Sequence, residues 1–156
     1  MSPTCIVLDS NVLTKLFLQE ELHDDAKALI QELVRRKTPI YCPDIFLYEV
    51  LSIAAQNSFP VSDALGLLRN FERANLTLKP LTAGQLQLAI RITEDGHPKS
   101  GFPSIYDSSY HAIAISKQGL FITADQRHIR KTEKYGHIAH LSDWPRYLST
   151  ESNRDV

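Results

Sequence analysis

The stretch Cys5-Ile6-Val7-Leu8-Asp9-Ser10-Asn11 decides how the chain is read. Residues 5–8 form a continuous apolar run, the pattern of a short strand buried on both faces. The run stops at a carboxylate, two small polar residues follow, and an apolar helical pattern begins at Val12. That order puts Asp9 at the carboxyl end of a strand, where open α/β sheets hold their ligand crevice. Leu120-Phe121-Ile122-Thr123-Ala124-Asp125 repeats the arrangement, with Asp125 just past a second buried run. In a parallel sheet the two strand ends share one edge, so the two acids can approach each other.

The rest of the chain fills in around these strands. Further short strands are expected at 40–42, 76–78 and 138–141. Helices are expected between them. One spans 12–18, with Ser10 or Asn11 as its cap. A second spans 24–36, with Ala28, Leu29, Leu33 and Val34 turned inward. Asp44 caps a third, which runs to Asn57. A fourth covers 62–74, with Leu65, Leu68 and Phe71 inward. Thr82 caps a fifth, which runs to Thr93 with Leu86, Ala89 and Ile90 as its core stripe. Ser104 opens a sixth, which runs to Gln118 and is ended by Gly119. Residues 126–135 make a short basic helix. The glycine- and proline-dense segment 95–103 is a loop. Strands alternating with helices argue for an α/β fold with a mainly parallel sheet.

Composition sets outer limits. A chain of 156 residues is long enough for one domain with a real core. Residues 1–148 are assigned to that domain, and 149–156 to a polar tail. The formal net charge of -1 argues against coating nucleic acid through overall charge but leaves room for a local basic patch. Cys5 and Cys42 both fall in expected strands, so buried reduced thiols and a cytoplasmic setting are expected. No apolar run approaches the ~20 residues that span a bilayer, so no membrane association is expected.

Two further acids join the pair. Glu49 lies in the 44–57 helix among Ile45, Phe46, Val50 and Ile53, a setting in which an ionised carboxylate must be paired, neutralised or bound to metal. Alternatively it sits at a boundary and reaches water. Asp107 closes Ser104-Ile105-Tyr106-Asp107, the spacing of a capping box. Singly, Asp9, Asp107 and Asp125 are each explained as helix caps. Together with Glu49 they make an oxygen-rich set of the kind Mg²⁺ or Mn²⁺ prefers. Asn11 and Thr123 add oxygens near the strand ends that could hold a metal-bound water.

At this point a family comes into view. Leu8-Asp9-Ser10-Asn11-Val12-Leu13, Tyr48-Glu49-Val50, Tyr106-Asp107-Ser108-Ser109-Tyr110-His111-Ala112-Ile113-Ala114 and Thr123-Ala124-Asp125 resemble the PIN domain. Among its members the chain most resembles the VapC-type toxin nucleases of type II toxin–antitoxin pairs, over about residues 5–142. The resemblance implies a three-layer α/β/α fold and RNA cleavage dependent on Mg²⁺ or Mn²⁺. It also implies homodimers and a cognate antitoxin protein. By position, Asp9, Glu49, Asp107 and Asp125 match the family's catalytic, metal-holding acids, and Thr123 and Asn11 fit its supporting positions.

The chemistry implied is phosphodiester hydrolysis in which carboxylates position metal and water. Arg127, Arg130 and Lys131, with His128 and Lys134 nearby, follow Asp125 and form a patch for RNA phosphates or an ordinary solvated basic helix. His97 and Lys99 in the 95–103 loop are open to the same two readings. His111 is read as structural. Trp144 and Tyr147 are expected to pack on the core or a partner surface. The helices at 44–57 and 62–74 either fill the core or face a second copy or an antitoxin. Two alternatives remain open, a PIN-type RNA-processing nuclease without an antitoxin and a catalytically silent PIN-like binding module. A phosphatase of the haloacid-dehalogenase type ranks low, because Asn11 stands where its second Asp would be.

Overall fold

Ile6–Leu8 (β1) is a three-residue strand with every residue buried, and it forms the middle of the sheet. The structure, a computed structural model, describes residues 3–148. Around β1 lie Ile40–Pro43 (β2), Leu76–Lys79 (β3), Leu120–Thr123 (β4) and Ile138–His140 (β5), in the order β3-β2-β1-β4-β5. All four pairings are parallel. The expected polar tail from Ser149 lies outside the described residues.

Parallel strands need crossovers, and helices supply them: Ser10–Thr14 (α1) and His23–Arg36 (α2), Ile45–Gln56 (α3) and Val61–Ala74 (α4), Ala83–Asp95 (α5) and Ile105–Ser116 (α6), and Gln126–Thr132 (α7). A last turn of helix, Trp144–Tyr147 (α8), follows β5. The chain moves outward from β1 to β2 and β3, then jumps back to β4 and on to β5. Right-handed crossovers therefore place α1–α4 on one face and α5–α7 on the other. The result is the expected three-layer α/β/α arrangement. The order reverses between β1 and β4, so the crevice of the sheet opens at their carboxyl ends. β1 and β4 run in register there, with Leu8 opposite Ile122.

Several local expectations are corrected. The first helix starts at Ser10, and its cap is Asp9 itself, whose carboxylate accepts Asn11 N at 3.4 Å. Asp44 has helical backbone angles and makes no side-chain cap. The basic segment 126–135 divides into α7 and a 3-10 turn at Glu133–Tyr135. In α2 the inward face is Ala26, Leu29, Ile30 and Leu33, while Val34 is 40% exposed. In α5 the buried residues are Gln85, Ala89 and Ile92, with Leu86 and Ile90 facing out. The cause is the partner. α5 rests on α6 rather than on the sheet, and Ala89, Ile92 and Ala112 form their own apolar cluster between the two helices. Gln85 turns inward because it completes the capping box with Thr82 and donates to Ser116 Oγ at 3.2 Å.

Gly119 also has a different reason from the one its position suggests. The left-handed residue after α6 is Gln118, with φ 54°. Gly119 is small because β1 begins against it: a Cβ there would meet Cys5 Sγ at 2.5 Å and Cys5 O at 2.7 Å. Both cysteines are free and buried, and Cys42 Sγ donates to Leu8 O at 3.2 Å. Gly119→Ala should cost about 1–3 kcal/mol of overpacking, read as a lowered urea midpoint with unchanged slope.

Candidate metal centre at the sheet switch point

The crevice between β1 and β4 is built around one hydroxyl. Thr123 ends β4 fully buried, opposite Asp9. Its Oγ1 donates to Asp9 Oδ2 at 2.8 Å and accepts from Asn11 Nδ2 at 3.4 Å and from Asp125 N at 3.0 Å. One donor and two acceptor sites are thereby filled. The Asn11 amide closes the lattice, its Oδ1 accepting from Ala124 N at 3.2 Å. Thr123 and Asn11 thus hold the ends of β1 and β4 together and aim the carboxylates that follow.

Asp9 is 5% exposed and takes further hydrogen bonds from Ser10 Oγ and Asn11 N. Burial pushes its carboxyl up to about 7, and the charges of Asp107 and Glu49 push the same way against the Thr123 and Asn11 hydrogen bonds. Glu49 comes from α3, on the opposite helical layer from α6. Its partner is Tyr110 of α6, a fully buried tyrosine whose hydroxyl donates to Glu49 Oε1 at 2.6 Å. This bond explains how a glutamate tolerates that face, and Tyr110, 61 residues away in sequence, gave no local sign of it. Burial still raises Glu49, and Asp107 adds to it.

Asp107 sits in the first turn of α6, where its N–H donates to the Ser104 cap at 3.1 Å. Burial raises its carboxyl, Asp125 raises it further, and Lys131 opposes. Asp125 caps α7, accepting Arg127 N and His128 N at 3.0 and 3.2 Å. The capping roles expected of Asp9 and Asp125 are therefore real, and each leaves carboxylate oxygen capacity unused.

Taken together, Asp9, Glu49 and Asp107 feel one another's charge, and Asp107 also feels Asp125. Among the described residues, no lysine or arginine forms an ion pair with any of the four. Nor does any group of three or more acids, histidines or cysteines there already stand in metal-holding geometry. The donor set, all oxygen and without a neutralising cation, fits a hard divalent ion, with side-chain rotation needed to close around it.

The neighbourhood completes the picture. Lys131 lies close enough to lower Asp107, while Arg127 and Arg130 are exposed on the same helix. A cleft of about 350 Å³ opens beside Asn11 and Glu49, with Tyr48 and Ser52 on its wall. His97, by contrast, is used inside its own loop, accepting Lys99 N and Ser100 N at 3.1 Å. Trp144 packs against the main core.

The sequence model of the PIN domain matches residues 6–134. The chain belongs to the PIN domain family. No curated protein matches it in sequence. Solved structures share its fold at low identity. The crystal structure of VapBC2 from Rickettsia felis, bound to a DNA fragment from their promoter, aligns with a TM-score of 0.65 at 14% identity, covering 87% of this PIN chain and 98% of that chain. PAE2754 from Pyrobaculum aerophilum aligns with a TM-score of 0.59 at 17% identity, over 93% and 89% of the two chains. The Mycobacterium tuberculosis VapC20, a sarcin-ricin loop cleaving toxin, aligns with a TM-score of 0.58 at 16% identity, over 76% and 87%. No helix among the described residues is long and apolar enough to cross a membrane.

The Thr123 hydroxyl gives a sharp test. Thr123→Val keeps the shape but strips partners from Asp9, Asn11 and Asp125, and should cost about 3 kcal/mol of stability in urea unfolding. Thr123→Ser loses only a methyl group and should cost about 1 kcal/mol. A second expectation concerns His111, which lies buried behind the site against Phe121. Its Nε2–H donates to Gly136 O at 2.7 Å, and its Nδ1 has no hydrogen-bond partner among the described residues. Burial holds the ring at about 4, below its ordinary 6.5. At this ring the folded state thus binds fewer protons than the unfolded one in that interval, and the ring's contribution to stability falls as pH drops from 6.5 towards 4, by up to about 3 kcal/mol, while the raised Asp9 works in the opposite sense. The difference between wild-type and His111→Gln unfolding free energies across that range isolates it, and it should change in the wild type's disfavour as pH drops.

Proposed function

We propose that this PIN domain is a divalent-metal-dependent ribonuclease, with Asp9, Glu49, Asp107 and Asp125 as its catalytic, metal-holding acids. The observation that carries the proposal is the gathering of unneutralised carboxylates from β1, α3, α6 and the end of β4 at the switch point of the sheet. Such a set is expensive in the folded protein unless a cation joins it. Mg²⁺ is the favoured ion and Mn²⁺ a competent substitute. The bound metal would polarise the phosphate and lower the pKa of an attacking water.

The chain's own residues have definable parts in this. Thr123 and Asn11 orient Asp9 and, through its backbone N–H, Asp125. Tyr110 fixes Glu49 at the crevice rim. Lys131, Arg127 and Arg130 supply cations for RNA phosphates along α7. The cleft beside Tyr48 and Ser52 offers room for a flanking nucleotide.

The proposal extends to biology. The likeness of fold to VapBC2 and to the VapC20 toxin, together with PIN membership, supports the toxin role in a type II toxin–antitoxin pair. A cognate antitoxin protein and self-association into a homodimer belong to that reading, as does action in the cytoplasm.

Asp9→Asn and Asp107→Asn proteins should fold but show no metal-dependent cleavage of transfer, ribosomal or messenger RNA. EDTA should silence the wild type equally. Relieving charge repulsion should also raise the metal-free Asp107→Asn protein's melting temperature by about 2–4 °C for about 1 kcal/mol. Mn²⁺ should raise the wild type's melting temperature and leave that variant's unchanged. Full cleavage by well-folded Asp9→Asn protein would overturn the assignment. Growth arrest on expression of the wild type, absent for Asp107→Asn, tests the toxin role.

A further inference from the structure

His128 is buried at 2% exposure, yet neither of its ring nitrogens has a hydrogen-bond partner among the described residues. Two orphaned nitrogens in an apolar setting destabilise the folded state. The setting is indeed apolar. Phe121 packs at 5.8 Å between ring centroids and His111 at 5.9 Å, both edge-on. A phenylalanine would satisfy that packing without the cost. The position calls for another explanation, and the surroundings of the ring supply one.

His128 stands between two of the acids. Its Nδ1 faces Asp107 Oδ2 at 4.0 Å. Its backbone N–H donates to Asp125 Oδ1 at 3.2 Å. The charges of Asp125 and of Lys131, one turn along α7, also act on the ring. A gap of 4.0 Å is about 1 Å longer than an N–H···O hydrogen bond. Closing it takes a shift of about that size in the Asp107 carboxylate. The neutral ring carries one N–H, and the nitrogen that faces a carboxylate is the one to hold it.

We propose that His128 is a positioning residue for the metal centre: its Nδ1–H hydrogen-bonds the outer oxygen of Asp107 when that carboxylate turns to hold a divalent cation. This rests on the reading of Asp107 as a metal ligand. The bond fixes which oxygen of Asp107 faces the crevice and which faces α7. Through its backbone bond to Asp125, the same residue couples the orientation of both acids. Partners of this kind, one step removed from a metal, typically change affinity 10- to 100-fold when lost.

The test measures Mn²⁺ affinity by calorimetric titration of the full chain, alongside metal-free thermal stability. His128→Phe keeps the packing and removes the donor. It should be as stable as the wild type without metal, or more so, yet bind Mn²⁺ about 10–100-fold more weakly. His128→Asn places an amide nitrogen where Nδ1 stands and should retain most of the affinity. His128→Gln places it where Nε2 stands and should behave like His128→Phe. Wild-type affinity in His128→Phe overturns the proposal, and so does a marked loss of its metal-free stability. Weak binding by His128→Asn also overturns it, because a donor restored at the Nδ1 place then fails to restore the affinity. A wild type that binds no Mn²⁺ at all fails the reading of the metal centre, and this proposal with it.

Discussion

The bond from Thr123 Oγ1 to Asp9 Oδ2 is the constraint on which the rest depends. It joins the ends of two parallel strands that only tertiary structure brings together. Because the hydroxyl also accepts from Asn11 and from Asp125 N, a single oxygen sets the positions of three site residues. Its burial makes those bonds matter more, since no water can replace them. Burial first, and then one another's charge, raise the proton affinity of Asp9, Glu49 and Asp107, and that unrelieved tension is the chemical content of the crevice.

Much of this was legible in the sequence, and the reason is locality. A buried strand followed by an acid and a helix is a pattern within one window, so Asp9 and Asp125 stood out together. The parallel sheet then followed from the alternation of elements. Core stripes were legible only where a helix packs on the sheet. Periodicity marks an apolar face but does not say whether a sheet or another helix will cover it. That is why Leu86 and Ile90 were placed inward, when α5 in fact lays Ala89 and Ile92 on Ala112.

The remaining features depend on contacts distant in sequence. Glu49 was recognisable as a misfit among apolar residues, but Tyr110, which accommodates it, was not recognisable as its partner. His128 looked like one more member of a basic surface helix. In the fold it is among the most buried polar residues, because α7 turns that position towards Phe121. Gly119 looked like a helix terminator and proves to be a clearance for Cys5. In each case the residue type was visible and its reason lay across the sheet.

The sequence separation of the site has a consequence for biosynthesis. Asp9 and the hydroxyl that orients it are 114 positions apart. During translation Asp9, Glu49 and Asp107 emerge before β4 exists to join β1, and β5 can add to the sheet only after β4 has done so. Domains of this kind fold as units once their late strands are available. A nascent chain therefore holds its acids unassembled while it is still tethered to the ribosome. If the domain cuts RNA as proposed, its site cannot assemble until β4 has been made, by topology alone.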